Sequence, residues 1–172
     1  MATTPPLLGP LLLEKHHDVS LFNCGAAPLD DYLRKHAWHN QQNRSARTYV
    51  TLRGDVVVGY YSLAAASVQH DEATPRLAKG LARHPIPVVL LARLAIHQTE
   101  KGQGLGAALL KDALLRSLQA ADIIGCRAVL VHAKDQPARD FYRKYGFESS
   151  PIDDFHLFLL TKDIKASLGG KP

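Results

Sequence analysis

Between Leu90 and Ala107 the chain reads LLARLAIHQTEKGQGLGA: a strand-like apolar run, a turn with glycines at 102, 104 and 106, and the start of a leucine-rich helix. Without Cβ atoms, successive backbone N–H groups can converge on an anion at the helix N-terminus, where the helix dipole also favours negative charge. Such a turn suits a pyrophosphate, which points to a nucleotide-type cofactor. A P-loop does not fit, because no G-x-x-x-x-G-K-[ST] occurs and no Lys-Ser/Thr pair follows the glycines. Gly102, Gly104 and Ala107 do satisfy the dinucleotide pattern G-x-G-x-x-G/A. However, the four residues Gln98 to Lys101 separate strand from glycines, and the next strand ends in His132 rather than in an acidic residue for a ribose.

Other residues able to do chemistry are scattered. Tyr142 is a phenol that stays protonated at neutral pH and can donate a proton, its reference pKa being about 10. Yet Ala138, Phe141, Tyr142 and Tyr145 also form an i, i+3, i+4, i+7 face, the pattern of a packed helix. His97, His132 and Asp135 lie near strand or loop ends, where a general base is accessible. Arg93 is a charge inside an apolar strand run and needs a partner or a substrate. His16-His17 and His36-x-x-His39 are not read as metal sites, since no neighbouring ligand is read as completing either. Cys24 and Cys126 form no C-x-x-C pair and read as reduced, partly buried thiols. Trp38 and Tyr32 read as packing residues on an amphipathic helix.

The elements that must position these groups follow from periodicity. Leu29, Tyr32, Leu33, His36 and Ala37 make one face of a helix from about Pro28 to Asn40. Thr48–Leu52 and Val56–Ala64, separated by Arg53-Gly54-Asp55, read as a hairpin. The stretch from His70 to Pro87 is broken by prolines and Gly80 and holds at most a short helix between loops. Val88–Ile96 is a strand apolar enough to be covered on both faces, and a helix carrying Ala107, Leu110, Leu114, Leu118 and Ala121 follows. A strand over Arg127–His132 then requires a parallel pair with a right-handed crossover. A helix over Pro137–Tyr145 ends at Gly146, and His156–Thr161 supplies a last strand.

Composition sets the outer bounds. With 172 residues, 46% hydrophobic and 22% charged, the chain reads as one globular domain, 13–164, with flexible tails at 1–12 and 165–172. The N-terminus lacks a signal peptide's basic region and no run approaches a membrane span, so a cytoplasmic location is expected. Lys and Arg outnumber Asp and Glu by 21 to 16, a bias towards anionic partners.

The order of hairpin, apolar strand, glycine turn, helix and strand resembles the GCN5-related N-acetyltransferase (GNAT) family. That family's acetyl-CoA loop reads Q/R-x-x-G-x-G/A; here Lys101 stands at the Q/R position and Gly104 and Gly106 at the glycines. Ala138-Arg139-Asp140-Phe141-Tyr142-Arg143-Lys144-Tyr145-Gly146-Phe147 matches the family's A-x-x-F-Y-x-x-x-G-F, whose tyrosine commonly lies beside the CoA sulfur. The resemblance implies an α+β, three-layer GNAT fold: a mixed, mainly antiparallel sheet with a central parallel β-α-β unit and helices on both faces. It further implies that acetyl-CoA is held by Leu94, Ala95, Ile96, Lys101, Gly102, Gln103, Gly104, Leu105, Gly106, Ala107 and Phe141. Backbone N–H groups of Leu94 to Ile96 would meet the thioester oxygen, and Tyr142 would be the general acid.

Several further segments resemble the acetyltransferase toxins of bacterial toxin–antitoxin pairs: Phe22–Gly25, Leu29-Asp30, Pro87–Ala95, Ala121–Gly125, Leu130–Ala133 and Phe141-Tyr142 through Ser150-Pro151. That family acetylates the α-amino group of aminoacyl-tRNA and blocks translation. The likeness implies a bacterial cytoplasmic toxin, a homodimer, paired with a ribbon-helix-helix antitoxin and meeting operator DNA only through it. Arg34, Lys35, Arg76, Lys79, Arg83, Arg93, Arg139 and Arg143 are available for tRNA phosphates. An acetyltransferase acting on a small-molecule or protein amine, predicting an acidic acceptor pocket, and a non-enzymatic CoA- or antitoxin-binding module are the alternatives.

Overall fold

A computed structural model of the chain describes residues 3–168. The elements are β1 (Leu7–Leu12), α1 (Ala27–Asp31), α2 (Ala37–Gln42), β2 (Arg47–Arg53), β3 (Val56–Val68), α3 (Pro75–Ala78), β4 (Ile86–Ile96), α4 (Leu105–Ile124), β5 (Ala128–His132), α5 (Gln136–Lys144), β6 (Glu148–Ser150), β7 (Asp153–Leu160) and α6 (Thr161–Leu168). The strand order is β1-β2-β3-β4-β5-β7-β6. β4 and β5 are parallel, while β1–β2, β2–β3, β5–β7 and β6–β7 are antiparallel, which is the mixed sheet expected from the sequence. The span expected as one domain divides into two compact units, 1–64 with 92–113 and 65–91 with 114–172.

In the first unit, the β2–β3 hairpin closes through Gly54-Asp55, with Gly54 at φ +62° where only glycine is at ease. The core holds Leu13, Phe22, Tyr32, Leu33, Val50, Leu52, Val57 and Tyr60. Neighbouring strand residues point to opposite faces. Tyr60 stacks on Tyr32 at 6.3 Å, whereas a Cβ on Gly59 would lie 3.2 Å from Leu109 of α4, so helices cover both faces. The expected helix from Pro28 to Asn40 is α1 and α2 joined by a π-helical turn, Tyr32–His36, closed by the Ala37 N–H on the Tyr32 carbonyl. Tyr32, Leu33 and Ala37 are buried as the periodicity requires, but His36 is exposed.

In the second unit, β4 pairs with β5 from Val88↔Ala128 to Leu91↔Val131. Val68, Leu77, Ile86, Val88, Ala128, Leu130, Phe158 and Leu160 form its core. Asp135 caps α5 by accepting from the Ala138 N–H at 2.9 Å, and the helix stops where Gly146 takes φ +96°.

Three expectations are corrected. Residues 7–12 are not a tail: β1 pairs with β2 from Leu7↔Arg53 to Leu12↔Tyr49, and Gly9 and Pro10 disguised it as a loop. The last strand stops at Leu160 because Thr161 opens α6, whose Ile164 is 1% exposed, so 165–167 are helical rather than a tail. β6, at three residues, is too short to show a period. Residues 1, 2 and 169–172 of the expected tails lie outside the described residues.

Candidate active site

The glycine turn belongs to the first unit. Gly102 and Gly104 take φ +80° and +82°, and a Cβ on either would meet nothing within 4 Å, so the backbone conformation demands glycine and the surface above it is open. The first α4 bond runs from the Ala108 N–H to the Gly104 carbonyl at 3.1 Å. Among the described residues the N–H groups of Leu105, Gly106 and Ala107 therefore take no protein acceptor, which fits an anion there. Lys101 is turned away from that role: its Nζ donates to the Cys24 carbonyl at 2.8 Å and ties the turn to the segment before α1. Glu100, just upstream, is buried and accepts two bonds from Arg53, at 2.8 and 3.0 Å. Arg53 holds the Glu100 carboxyl below the usual carboxylate range. This clamp was missed from the sequence, since nothing local links positions 47 residues apart.

Beside the turn, His97 accepts from the Thr99 N–H at 3.2 Å through Nδ1, and its Nε2 lies 3.2 Å from the Leu21 carbonyl. Arg93 places its guanidinium carbon over the Tyr32 ring, 3.7 Å from the centroid, which answers the need for a partner through the aromatic face rather than a carboxylate. Glu14, His16 and His17 place ligand atoms within 4.8 Å of one another, so a carboxylate does stand beside the His16-His17 pair. His17 Nδ1, however, accepts from the Glu14 N–H at 2.9 Å, which places the ring proton on Nε2; a metal-bound imidazole instead donates through its second nitrogen.

In the second unit, Tyr142 is 8% exposed and packs edge-on against Phe141 at 5.2 Å and Phe147 at 5.4 Å. Its hydroxyl has no hydrogen-bond partner among the described residues, and burial pushes the phenol well above its ordinary range. The residue is thus packed as core and still presents an uncommitted proton donor. Asp135 is spent on the α5 cap and on Lys134 at 3.1 Å. His132, the last residue of β5, stacks on His156 of β7 with ring centroids 4.0 Å apart.

The basic residues divide by partner. Arg76 donates to Asp163 at 2.7 and 3.0 Å and to Glu148 at 3.1 Å, joining α3 to α6 and β6, so its charge is neutralised within the fold. Arg139 is paired with Asp154 at 3.2 Å and its side chain is only 17% exposed, against 33% and 63% for the paired Arg34 and Lys35, so Arg139 is withdrawn from the candidate set. Arg34 donates to the Phe22 carbonyl and pairs with Asp31, as does Lys35 at 3.5 Å. Lys79, Arg83 and Arg143 are exposed and have no ion pair among the described residues.

Residues 44–149 match the family model of the acetyltransferase (GNAT) domain. The chain belongs to the GNAT acetyltransferase family. This GNAT chain is 49% identical over 152 residues to the tRNA-acetylating toxin of Mycobacterium tuberculosis (strain ATCC 25618 / H37Rv), covering 88% of this chain and 91% of that protein. Its fold is similar to AtaT complexed with acetyl-methionyl-tRNAfMet, with TM-score 0.85, 27% identity and 95% and 98% of the two chains covered. It is also similar to a mutant AtaT bound to the C-terminus of the antitoxin AtaR and acetyl-CoA, with TM-score 0.80, 27% identity and 96% and 98% covered. The GNAT chain is an N-acetyltransferase that uses acetyl-CoA. No helix among the described residues is long and apolar enough to cross a membrane.

Proposed function

We propose that this GNAT chain acetylates the α-amino group of aminoacyl-tRNA and is the toxin of a bacterial toxin–antitoxin pair. The observation that carries this reading is the 49% identity to a tRNA-acetylating toxin over nearly the whole chain. The pyrophosphate of acetyl-CoA lies on the unpaired N–H groups of Leu105, Gly106 and Ala107, with Gly102, Gln103 and Gly104 forming the turn. Leu94 to Ile96 would receive the thioester, and Phe141 would contact the cofactor.

The neutral α-amine attacks the thioester carbonyl carbon, the N–C bond forms and the C–S bond breaks. Tyr142 gives its phenolic proton to the departing sulfur, and the nitrogen sheds one proton as it becomes an amide. An aminoacyl ester carries a less basic amine than a lysine side chain, so more of it is neutral near pH 7. Arg34, Lys35, Lys79, Arg83, Arg93 and Arg143 are the residues left to meet phosphates of the tRNA.

The excess of Lys and Arg over Asp and Glu, 21 to 16, supports tRNA over a small cationic amine, for which carboxylates would be needed. The chain works as a homodimer in the cytoplasm, restrained by a ribbon-helix-helix antitoxin that carries the pair to operator DNA. AtaT, whose structures include an antitoxin complex, is the support for that partner. To test the substrate, purified protein is mixed with acetyl-CoA and charged tRNA, and aminoacyl-adenosine released by nuclease is weighed by mass spectrometry. One added acetyl group is expected; its absence from every charged tRNA would refute the substrate assignment.

A further inference from the structure

The sequence offers three candidate bases, and the structure leaves one of them free. Both ring nitrogens of His97 are engaged, Nδ1 by Thr99 and Nε2 near the Leu21 carbonyl. Asp135 is committed to the α5 N-terminus, and the bonds from Ala138 and Lys134 hold its carboxyl below the ordinary range, which makes it a poor proton acceptor. His132 differs on each count. It is exposed, and among the described residues neither ring nitrogen has a hydrogen-bond partner. It is the first β5 residue beyond the parallel ladder, which ends at Leu91↔Val131. Its orientation is nevertheless set. His132 and His156 are direct cross-strand partners, their rings lie 4.0 Å apart at 18°, and His156 Nε2 is 3.5 Å from Asp153 Oδ2. A base oriented by a second group, itself held by a carboxylate, is a recurring arrangement for proton transfer.

We propose that His132 takes the proton that the acceptor nitrogen loses as the amide forms, with His156 and Asp153 as its positioning residues; this rests on the acetyl-transfer reading above. The proton passes to an imidazole nitrogen of His132 and then to solvent, while Tyr142 protonates the CoA sulfur and regains its own proton from solvent, so a neutral amine is acetylated with no net release of protons. The groups facing the His132 ring are His156 and Asp153 on β7 and Glu72 in the turn before α3. Loss of water around the ring and the neighbouring His156 together lower the proton affinity of His132, outweighing Asp153 and Glu72, so the ring is neutral at pH 7.

The productive form then requires two neutral groups, the acceptor amine and His132. At acid pH the logarithm of kcat/KM for aminoacyl-tRNA falls with slope two in the wild type. In His132→Phe, which keeps a ring against His156, it falls with slope one, and the rate near pH 7 drops by about 100-fold or more. A purely structural histidine would lower the curve without changing its slope. His156→Phe, which leaves His132 in place, is expected to lose less and to keep slope two. Slope two retained in His132→Phe, or a loss under about threefold, overturns the assignment. Wild-type enzyme inert on every aminoacyl-tRNA fails the substrate reading instead, and the same profiles are then measured with a small primary amine.

Discussion

Replacing Tyr142 by phenylalanine separates its two roles, because the ring and the hydroxyl serve different ends. The ring packs against Phe141 and Phe147, and phenylalanine preserves that contact. The hydroxyl has no protein partner among the described residues, so its removal breaks no protein hydrogen bond; stability is expected to stay within about 1 kcal/mol of wild type. Loss of a general acid lowers turnover by roughly 100- to 10,000-fold, equivalent to about 2.7–5.4 kcal/mol of barrier. Tyr142→Ala, by contrast, empties a packed site and costs about 3–5 kcal/mol of folding stability. The assay pairs acetyl transfer to charged tRNA with urea unfolding of the same samples. Full activity in Tyr142→Phe would refute the acid role, and lost activity accompanied by a lower unfolding midpoint would show that the hydroxyl matters to folding instead. Because burial raises the phenol's proton affinity, no basic limb below about pH 10 should arise from Tyr142.

Other perturbations probe the supports of the site. Gly104→Ala places an L-residue at φ +82° with no clash, so it should cost about 1–2 kcal/mol through backbone strain alone and raise KM for acetyl-CoA; Gly102→Ala should behave alike, and unchanged KM in both would refute the anion turn. Glu100 has its carboxyl held low by Arg53, so that pair stabilises the fold above the ordinary carboxylate range and the contribution is lost as pH falls through the lowered value. Arg53→Ala should therefore lower the urea midpoint at pH 7 and narrow its difference from wild type below about pH 4, which chemical denaturation at both pH values checks. Lys79→Ala and Arg83→Ala should each reduce the salt dependence of tRNA binding by about one unit of log–log slope, whereas Arg76→Ala should destabilise the fold and leave that slope alone.

Much of this was legible in the chain because it is carried by local pattern. Alternation and run length located the hairpin, β4 and β5, and a 3.6-residue period located α4 and α5. Glycine spacing marked the anion turn, since a left-handed backbone at 102 and 104 excludes other residues wherever the chain is folded. The Phe141-Tyr142 match and the toxin-like segments supplied the family. Residues 7–12 and 161–168 escaped because their signals were weak locally: β1 gains its order from β2, and α6 is fastened by Arg76 from another element.

Taken by itself, the amino-acid sequence determined the order of the hairpin, β4, α4, β5 and α5, the glycine turn before α4 and the pool of residues able to do chemistry, since each is a property of neighbours along the chain. Only the tertiary structure decided which members of that pool are free. It spent Arg76, Arg139 and Lys101 on internal partners, laid Arg93 on Tyr32, buried Tyr142 with an unbonded hydroxyl, and set His132 against His156. Those outcomes depend on cross-strand register and on carboxylates and carbonyls brought in from distant positions, and a charge's availability is fixed by what lies within a few ångströms of it.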